Sequence, residues 1–343
     1  MSTLRELSEY TGFSITTISR VLNDDPTMSV TDSTRTAILE AAGKLHYKGA
    51  SRVRRAVSAA VPALHIAVAE MLSPVEQLSD PYYLYLKNYA VQRLLDLGNT
   101  VVRLTESADG YIPSTSEKID GVLAIGIFSE EQVERLTRIS ENIMFLDSCP
   151  DELRFDSVVL DFDLGIRQAL DYLISIGHRR IGFLGPERKL DQHKRPAPEV
   201  RQQCYIRYMT EQGLYDPALI ISAHMDAGDA RRALTDRIGA GGELPTALLA
   251  ANEETAIGAV SALRGAGIRV PEDISIISFN DTALSALTDP PLTSVSTHVE
   301  VMSAAAVDLL VRRIGVSGDP LPLRAVVPPT LVRRESVAAL NTK

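Results

Sequence analysis

Three polar residues stand directly behind short apolar runs: Asp147 after IMFL, Asn252 after TALLAA and Asn280 after ISIISF. At the exit of a strand, a carboxylate that accepts through two oxygens, or an amide that both donates and accepts, can hydrogen-bond a pair of neighbouring hydroxyls on a small ligand. The same residue types also cap helices and close turns, and their spacing leaves both roles open. Tyr82 and Tyr83 supply rings that can stack on an apolar ligand face.

Reactive chemistry finds less support. His178 sits between a helix end and a strand, where interaction with the helix C-terminus is the expected role. Cys149 has no histidine nearby to activate it. The run GAGGEL at 239–244 fails the dinucleotide fingerprint at its last glycine and precedes a strand instead of following one. Neither a phosphate-binding G-x-x-x-x-G-K-[ST] nor an H-E-x-x-H is present. We therefore expect no catalytic residues, no metal site and no cofactor.

The elements that must position these residues follow from patterning. Apolar runs at 64–69, 100–104, 121–125, 143–146, 181–184, 246–250 and 274–279 alternate with amphipathic stretches such as 83–97, 164–176, 200–212 and 253–264. That rhythm predicts parallel sheets flanked by helices. Some 280 residues exceed what one such sheet needs, so two doubly wound lobes are expected, with a ligand beyond the C-terminal strand ends where the lobes face each other. The full length of 343 residues suits two or three compact units, and 45 % hydrophobic with 23 % charged residues supports a sizeable core. Two cysteines lack disulfide or metal-site spacing, no apolar run has membrane-spanning length, and the N-terminus does not open a secretory signal. A cytoplasmic protein is the expectation.

The first sixty residues differ in kind. They carry eight basic against six acidic side chains although the whole chain has net charge −9, and residues 44–60 hold five basic residues and no acid. A phosphate-contacting arm on an acidic body accounts for that asymmetry. Thr3 can cap a helix from Leu4 with Glu6 completing a capping box, and Gly12 then breaks it. Ser14 caps a second helix, Ile15 to Leu22, that buries Ile18, Val21 and Leu22. A third helix near 32–45 supplies Ile38, Leu39, Ala42 and Leu45. Two short helices about a tight glycine turn make a helix-turn-helix, whose second helix can enter a major groove.

TLREL at 3–7 with SITTISRVLN at 14–23 resembles the head of the lactose-repressor (LacI/GalR) family of transcription regulators. Further on, VLNDDPT at 21–27, DPYY at 80–83, GHRRIGFLG at 177–185, PTALLAAN at 245–252, PEDISIISFND at 271–281 and PPLTSV at 290–295 extend the resemblance over nearly the whole chain. It is strongest to the galactoside regulators of that family. The resemblance implies an all-α helix-turn-helix head (1–47), a hinge linker (48–61) and an α/β two-lobed, periplasmic-binding-protein-like core (62–343). Within the core it places a first lobe at about 62–162 and 292–322, and a second at about 163–291 and 323–343. It also implies a near-palindromic double-stranded DNA operator, a homodimer, a sugar effector (a galactoside above all) and no membrane. Carried over by position, Ile15, Thr16 and Arg20 would read bases, and an arginine fork suits guanine O6 and N7. Thr3, Ser19, Asn23, Thr31 and Arg35 would hold phosphates, and Arg52 and Val53 would act in the hinge; there the family's Ala-Arg-x-Leu is replaced by Arg52-Val53-Arg54-Arg55, which leaves Val53 and Val57 as the nearby wedges in place of a leucine. Arg201 would clamp the effector alongside Tyr82, Tyr83, Asp147, Asn252 and Asn280. The chain departs from the pattern at Ile125, where the lactose repressor has a polar ligand residue, and at Cys204, where glycine is usual. A sugar-binding module without a DNA role would share the core, and the head and the missing export signal argue against it. No heptad pattern follows Arg334, so no coiled-coil tetramer is expected.

Overall fold

The computed structural model describes residues 4–22, 30, 31, 34, 37, 38, 41, 63–73, 76–78, 81–107, 110–316, 318 and 320–340. The chain divides into two compact units, Met1–Ala63 and Leu64–Lys343. In the first, helices α1 (Leu4–Thr11) and α2 (Ile15–Leu22) meet around Gly12. Its φ of +74° lies in the left-handed region that glycine enters without a Cβ penalty. Ser14 caps α2, its hydroxyl accepting from Thr17 N at 3.1 Å. Leu7, Ile18 and Val21 share a buried cluster with Ile38 and Ala41. Leu39, Ala42 and Leu45, expected beside them, and the linker at 48–61 lie outside the described residues.

The second unit opens with β1 (His65–Glu70), α3 (Pro81–Asp96), β2 (Thr100–Ser107), β3 (Gly110–Pro113), β4 (Gly121–Ile125), α4 (Glu130–Thr137), β5 (Ile143–Leu146) and β6 (Asp156–Leu160). The chain then crosses to a second lobe. There it forms α5 (Phe162–Ser175), β7 (Ile181–Gly185), β8 (Arg188–Leu190), β9 (Pro196–Pro198), α6 (Val200–Glu211), β10 (Ile220–Ser222), α7 (Ala227–Gly239), β11 (Ala247–Ala250), α8 (Glu253–Gly265), β12 (Ser275–Asn280), α9 (Ala283–Leu287) and β13 (Thr293–Ser296). It returns for α10 (Val299–Ile314) and β14 (Arg324–Val327), and crosses once more for β15 (Thr330–Val332).

The first sheet has the order β14-β6-β5-β4-β1-β2-β3 and the second β10-β7-β11-β12-β13-β15. Their central strands are parallel and buried on both faces, which explains why they read as unbroken apolar runs. Each sheet differs from the expected all-parallel form by one antiparallel edge strand, β3 against β2 and β15 against β13. Two lobe boundaries also move. The PPLTSV run was expected to carry the crossing near 292, yet Thr293–Ser296 pairs with β12, Ile277 opposite Thr293. Pro290 and Pro291 end a loop, and the β-branched run behind them fills a buried strand position before the chain leaves. Residues 323 onward were assigned to the second lobe, but Arg324–Val327 pairs with β6 of the first. The crossings therefore fall after Leu160, after Ser296 and after Val327.

Packing is tight where helices meet. Leu86, Ala90 and Leu94 of α3 share a core cluster with Ala306 and Leu310 of α10. In the second lobe α7 and α8 approach so closely at Gly258 that an added Cβ would stand 2.9 Å from Ala230 Cβ, 3.0 Å from Arg231 N and closer still to the Ala227 carbonyl oxygen.

Candidate ligand pocket

A cavity of about 310 Å³ lies among the C-terminal strand ends of the two lobes. Its wall includes Tyr82, Tyr83, Asp147 and Thr297 from the first lobe and the last crossing but one, with Phe162, Arg201, Met225 and Asn280 from the second. Parallel sheets send their strand-exit loops to one end, and the three crossings bring two such ends together.

Asp147 follows β5 with φ +73°, and Asn280 ends β12 with φ +99°. Non-glycine residues in this region are held there by their surroundings at some cost. For Asn280 the restraint is visible: its carbonyl accepts from Thr297 N at 3.4 Å and Thr297 Oγ1 at 3.2 Å. Among the described residues its side-chain amide makes no hydrogen bond to protein, and the residue lines the cavity. Tyr82 donates its hydroxyl to Asp147 Oδ1 at 3.0 Å, and its ring meets Tyr83 edge-on at 5.2 Å. Burial pushes the Asp147 carboxyl above the usual carboxylate range, with the Tyr82 hydrogen bond opposing it. Burial, then the Asp147 charge, pushes the Tyr82 hydroxyl well up, so it remains a donor.

Arg201 is held from several sides. Its Nε donates to Glu199 Oε1 at 2.7 Å and its Nη1 to the Ala251 carbonyl at 2.8 Å. The guanidinium carbon lies 5.4 Å from the Phe162 ring centre and 5.7 Å from that of Phe279. Glu199 is itself fixed, capping α6 by accepting from Gln202 N at 2.9 Å. The arrangement presents an oriented cation, a carboxylate, an amide and two tyrosines around a small chamber, a set suited to hydroxyl-bearing ligands.

Of the six pocket residues expected from sequence, five meet here. Asn252 does not. It is 1 % exposed and caps α8, its Oδ1 accepting from Thr255 N at 2.9 Å while its Nδ2 donates to the Met225 carbonyl at 3.3 Å. The asparagine three residues ahead of a threonine forms a reciprocal capping box that takes the amide oxygen, and the Met225 carbonyl takes the amide nitrogen. Ile125 is buried in β4, and Ile127 lines the cavity instead. His178 is corrected as well. Its Nδ1 lies 2.9 Å from Thr246 Oγ1 and its Nε2 3.0 Å from the Ala338 carbonyl, tying the strand entrance to the C-terminal segment. Burial lowers its pKa. The helix terminus is served by Arg179, whose Nη1 donates to the Ile174 carbonyl at 2.9 Å.

Phe162, Met225, Thr297 and the β8–β9 hairpin were not foreseen. The strand-end rule would have found Phe162 had β6 been recognised. Pro196 and Pro198 hid β9, because proline in a strand reads as a break although edge strands tolerate it.

In the first unit, Ile15 is 46 % exposed, Thr16 and Arg20 are exposed and Ser19 is half-buried, while Ile18 and Val21 turn inward. Exposed Thr31 accepts from Thr34 N at 3.3 Å. Thr3, Asn23, Arg35, Arg52 and Val53 lie outside the described residues. Among the described residues no group of three or more His, Cys, Asp or Glu side chains could hold a metal, and no helix is long and apolar enough to cross a membrane.

The Periplasmic binding protein-like domain family matches residues 170–337. The HTH-type transcriptional regulator GalR of Streptococcus thermophilus is 34 % identical over 315 residues, 92 % of this chain and 93 % of the relative. The regulator GanR of Bacillus subtilis (strain 168) is also 34 % identical, over 316 residues with the same coverage. Among solved structures, the regulator CelR in complex with cellobiose matches at 24 % identity with a TM-score of 0.65, covering 98 % of this chain and 100 % of CelR. The lac repressor dimer bound to operator and the anti-inducer ONPF matches at 24 % identity with a TM-score of 0.63, covering 98 % and 99 %. These two share the fold. The GalR and GanR matches decide the family: this chain belongs to the LacI/GalR family of transcriptional regulators.

Proposed function

We propose that the protein is a cytoplasmic, dimeric repressor of carbohydrate-utilisation genes that binds a near-palindromic operator and responds to a sugar, a galactoside above all. The observation that carries the effector half is the chamber in which Tyr82 and Asp147 of one lobe face Arg201 and Asn280 of the other. A sugar there would bridge the lobes: Asp147 accepts from hydroxyls, Asn280 donates and accepts, and the tyrosine rings cover a C–H face. The relatives GalR and GanR support the transcription-regulator reading, and the CelR–cellobiose complex supports a saccharide in this fold. In the DNA half, residues 1–47 are the reader, with Ile15, Thr16 and Arg20 on the outward side of α2 toward base edges. Thr3, Ser19, Asn23, Thr31 and Arg35 contact phosphates, and Arg52 and Val53 act in the 48–61 linker.

The sugar can change operator affinity only through unequal affinity for two lobe arrangements, which the linker passes to the readers as a population shift. Calorimetry against galactose, methyl β-galactoside, lactose, cellobiose and xylose tests the reading. One galactoside should bind with a stoichiometry of one per chain and alter operator affinity. Binding of none of the sugars, or of galactosides no better than xylose, would remove the galactoside assignment.

A further inference from the structure

We propose that the β8–β9 hairpin is a clasp that latches the two lobes over the pocket and releases as a unit when a ligand passes. Its part in ligand passage rests on the effector reading above; the latch itself does not.

The hairpin is built to hold its own shape while joining neither lobe's sheet. Among the described residues its strands pair only with each other, Arg188 opposite Pro198 and Leu190 opposite Pro196. Two strands of three residues form a ribbon that is marginal by itself, and the turn compensates. Asp191 accepts from His193 N at 2.8 Å, Arg195 N at 2.9 Å and Arg195 Nε at 3.0 Å, while Lys194 sits at φ +61°. Pro196 and Pro198 deprive the outer strand of two donors, which discourages pairing with anything else. The outcome is a locally fixed finger rooted in the second lobe.

One side of the finger lines the cavity through Lys189, Leu190, Ala197 and Pro198. Its tip reaches the first lobe. Gln192 Oε1 accepts from Cys149 N at 2.6 Å, two residues beyond Asp147. Lys194 Nζ donates to Gln132 Oε1 at 3.4 Å, and His193 Nδ1 and Arg195 Nη1 each lie 3.8 Å from Glu130 Oε1. Glu130 and Gln132 occupy the first turn of α4, and Cys149 lies in the loop after β5, so two separate parts of the first lobe are gripped by one rigid turn. Partly solvated contacts of this kind are individually weak. Mounted on one finger they are made and broken together, which gives a latch that holds the closed arrangement and still opens for exchange.

Amide hydrogen exchange on the ligand-free full chain tests the coupling. The double variant Glu130→Gln/Lys194→Met leaves Gln192 and Cys149 untouched. A clasp released as a unit requires that this variant speed exchange of the Cys149 amide, by about 2- to 10-fold for the loss of weak exposed contacts. Gln192→Ala should speed it at least as much. Unchanged exchange in β4 and β7 controls for the fold. If the double variant leaves the Cys149 amide as in the parent, the contacts are independent and the clasp is overturned; no change in Gln192→Ala overturns it too. In a second arm with methyl β-galactoside as probe, both variants should accelerate association and dissociation together, and unchanged rates would show that ligand passes elsewhere. Because the exchange arm contains no sugar, it decides the latch even if galactosides fail to bind.

Discussion

Replacing Arg201 by alanine should damage stability as well as ligand binding, because its guanidinium is part of the second lobe's interior. Side-chain exposure is 6 % for Arg201 and 1 % for Glu199, and their Nε–Oε1 distance is 2.7 Å. Removing one member of a buried pair costs about 3–5 kcal/mol, most of it the penalty for stranding the other charge. Glu199 would keep its hydrogen bond from Gln202 N and its place at the N-terminus of α6, so the loss should fall near 3 kcal/mol. The contacts with Phe162 and Phe279 add about 0.5–1 kcal/mol. At about 2–4 °C per kcal/mol the midpoint should drop by about 7–16 °C. Urea and thermal melts of the parent, Arg201→Ala, Glu199→Gln and the double variant, all at one protein concentration, form the assay. The double variant should be more stable than Arg201→Ala, since glutamine removes the stranded charge. A loss below about 1 kcal/mol, or a double variant worse than either single, would refute the buried-pair argument. Sugar titrations of Arg201→Ala must be run well below its own midpoint.

Asp147→Asn should weaken galactoside binding about 10- to 100-fold by calorimetry, since a carboxylate acceptor is lost. It should also stabilise the ligand-free protein at neutral pH. The raised carboxyl means the folded state binds more protons than the unfolded chain, so the cost of the charge is fully present above the folded pKa and vanishes below the unfolded value near 3.9. Equal melts of Asp147→Asn and parent at neutral pH would contradict this. Gly258→Ala should destabilise by about 1–3 kcal/mol through the clash with the Ala227 carbonyl and Ala230, outweighing the roughly 1 kcal/mol gain in helix propensity; a rise in midpoint would mean α7 can move aside. Arg20→Ala should cost about 1–3 kcal/mol on the specific operator and little on random DNA, read by fluorescence anisotropy at fixed salt, and equal losses would make Arg20 a phosphate contact.

The strand-end asparagines show how far sequence reasoning reaches. Asn252 and Asn280 both follow buried apolar strands, and position alone gave them one role. The difference was already written three residues on: Thr255 completes a capping box with Asn252, whereas Thr282 caps the helix after Asn280 and leaves the asparagine outside it. Local capping chemistry depends on i to i+3 contacts and was therefore readable. The lobe boundaries at Thr293–Ser296 and Arg324–Val327 were not, because a short β-branched run states that it will be a strand but not which sheet has an open edge for it.

Whatever depends on periodicity and on local backbone preference is legible in the residues alone: the alternation of buried strands and helices, the glycine break after α1 with Ile18 and Val21 inward, and Asp147 and Asn280 at strand exits. That Tyr82, Asp147, Arg201, Asn280 and Thr297 share one chamber is a property of the folded molecule, since their meeting needs the crossings after Leu160 and Ser296 and two sheets facing end to end. The tertiary structure alone showed Arg201 set against the Phe162 and Phe279 rings with its Nη1 on the Ala251 carbonyl, and the proline-bearing hairpin reaching the other lobe. Such contacts join residues far apart in the chain, and their energy arises from packing and burial that no local pattern encodes.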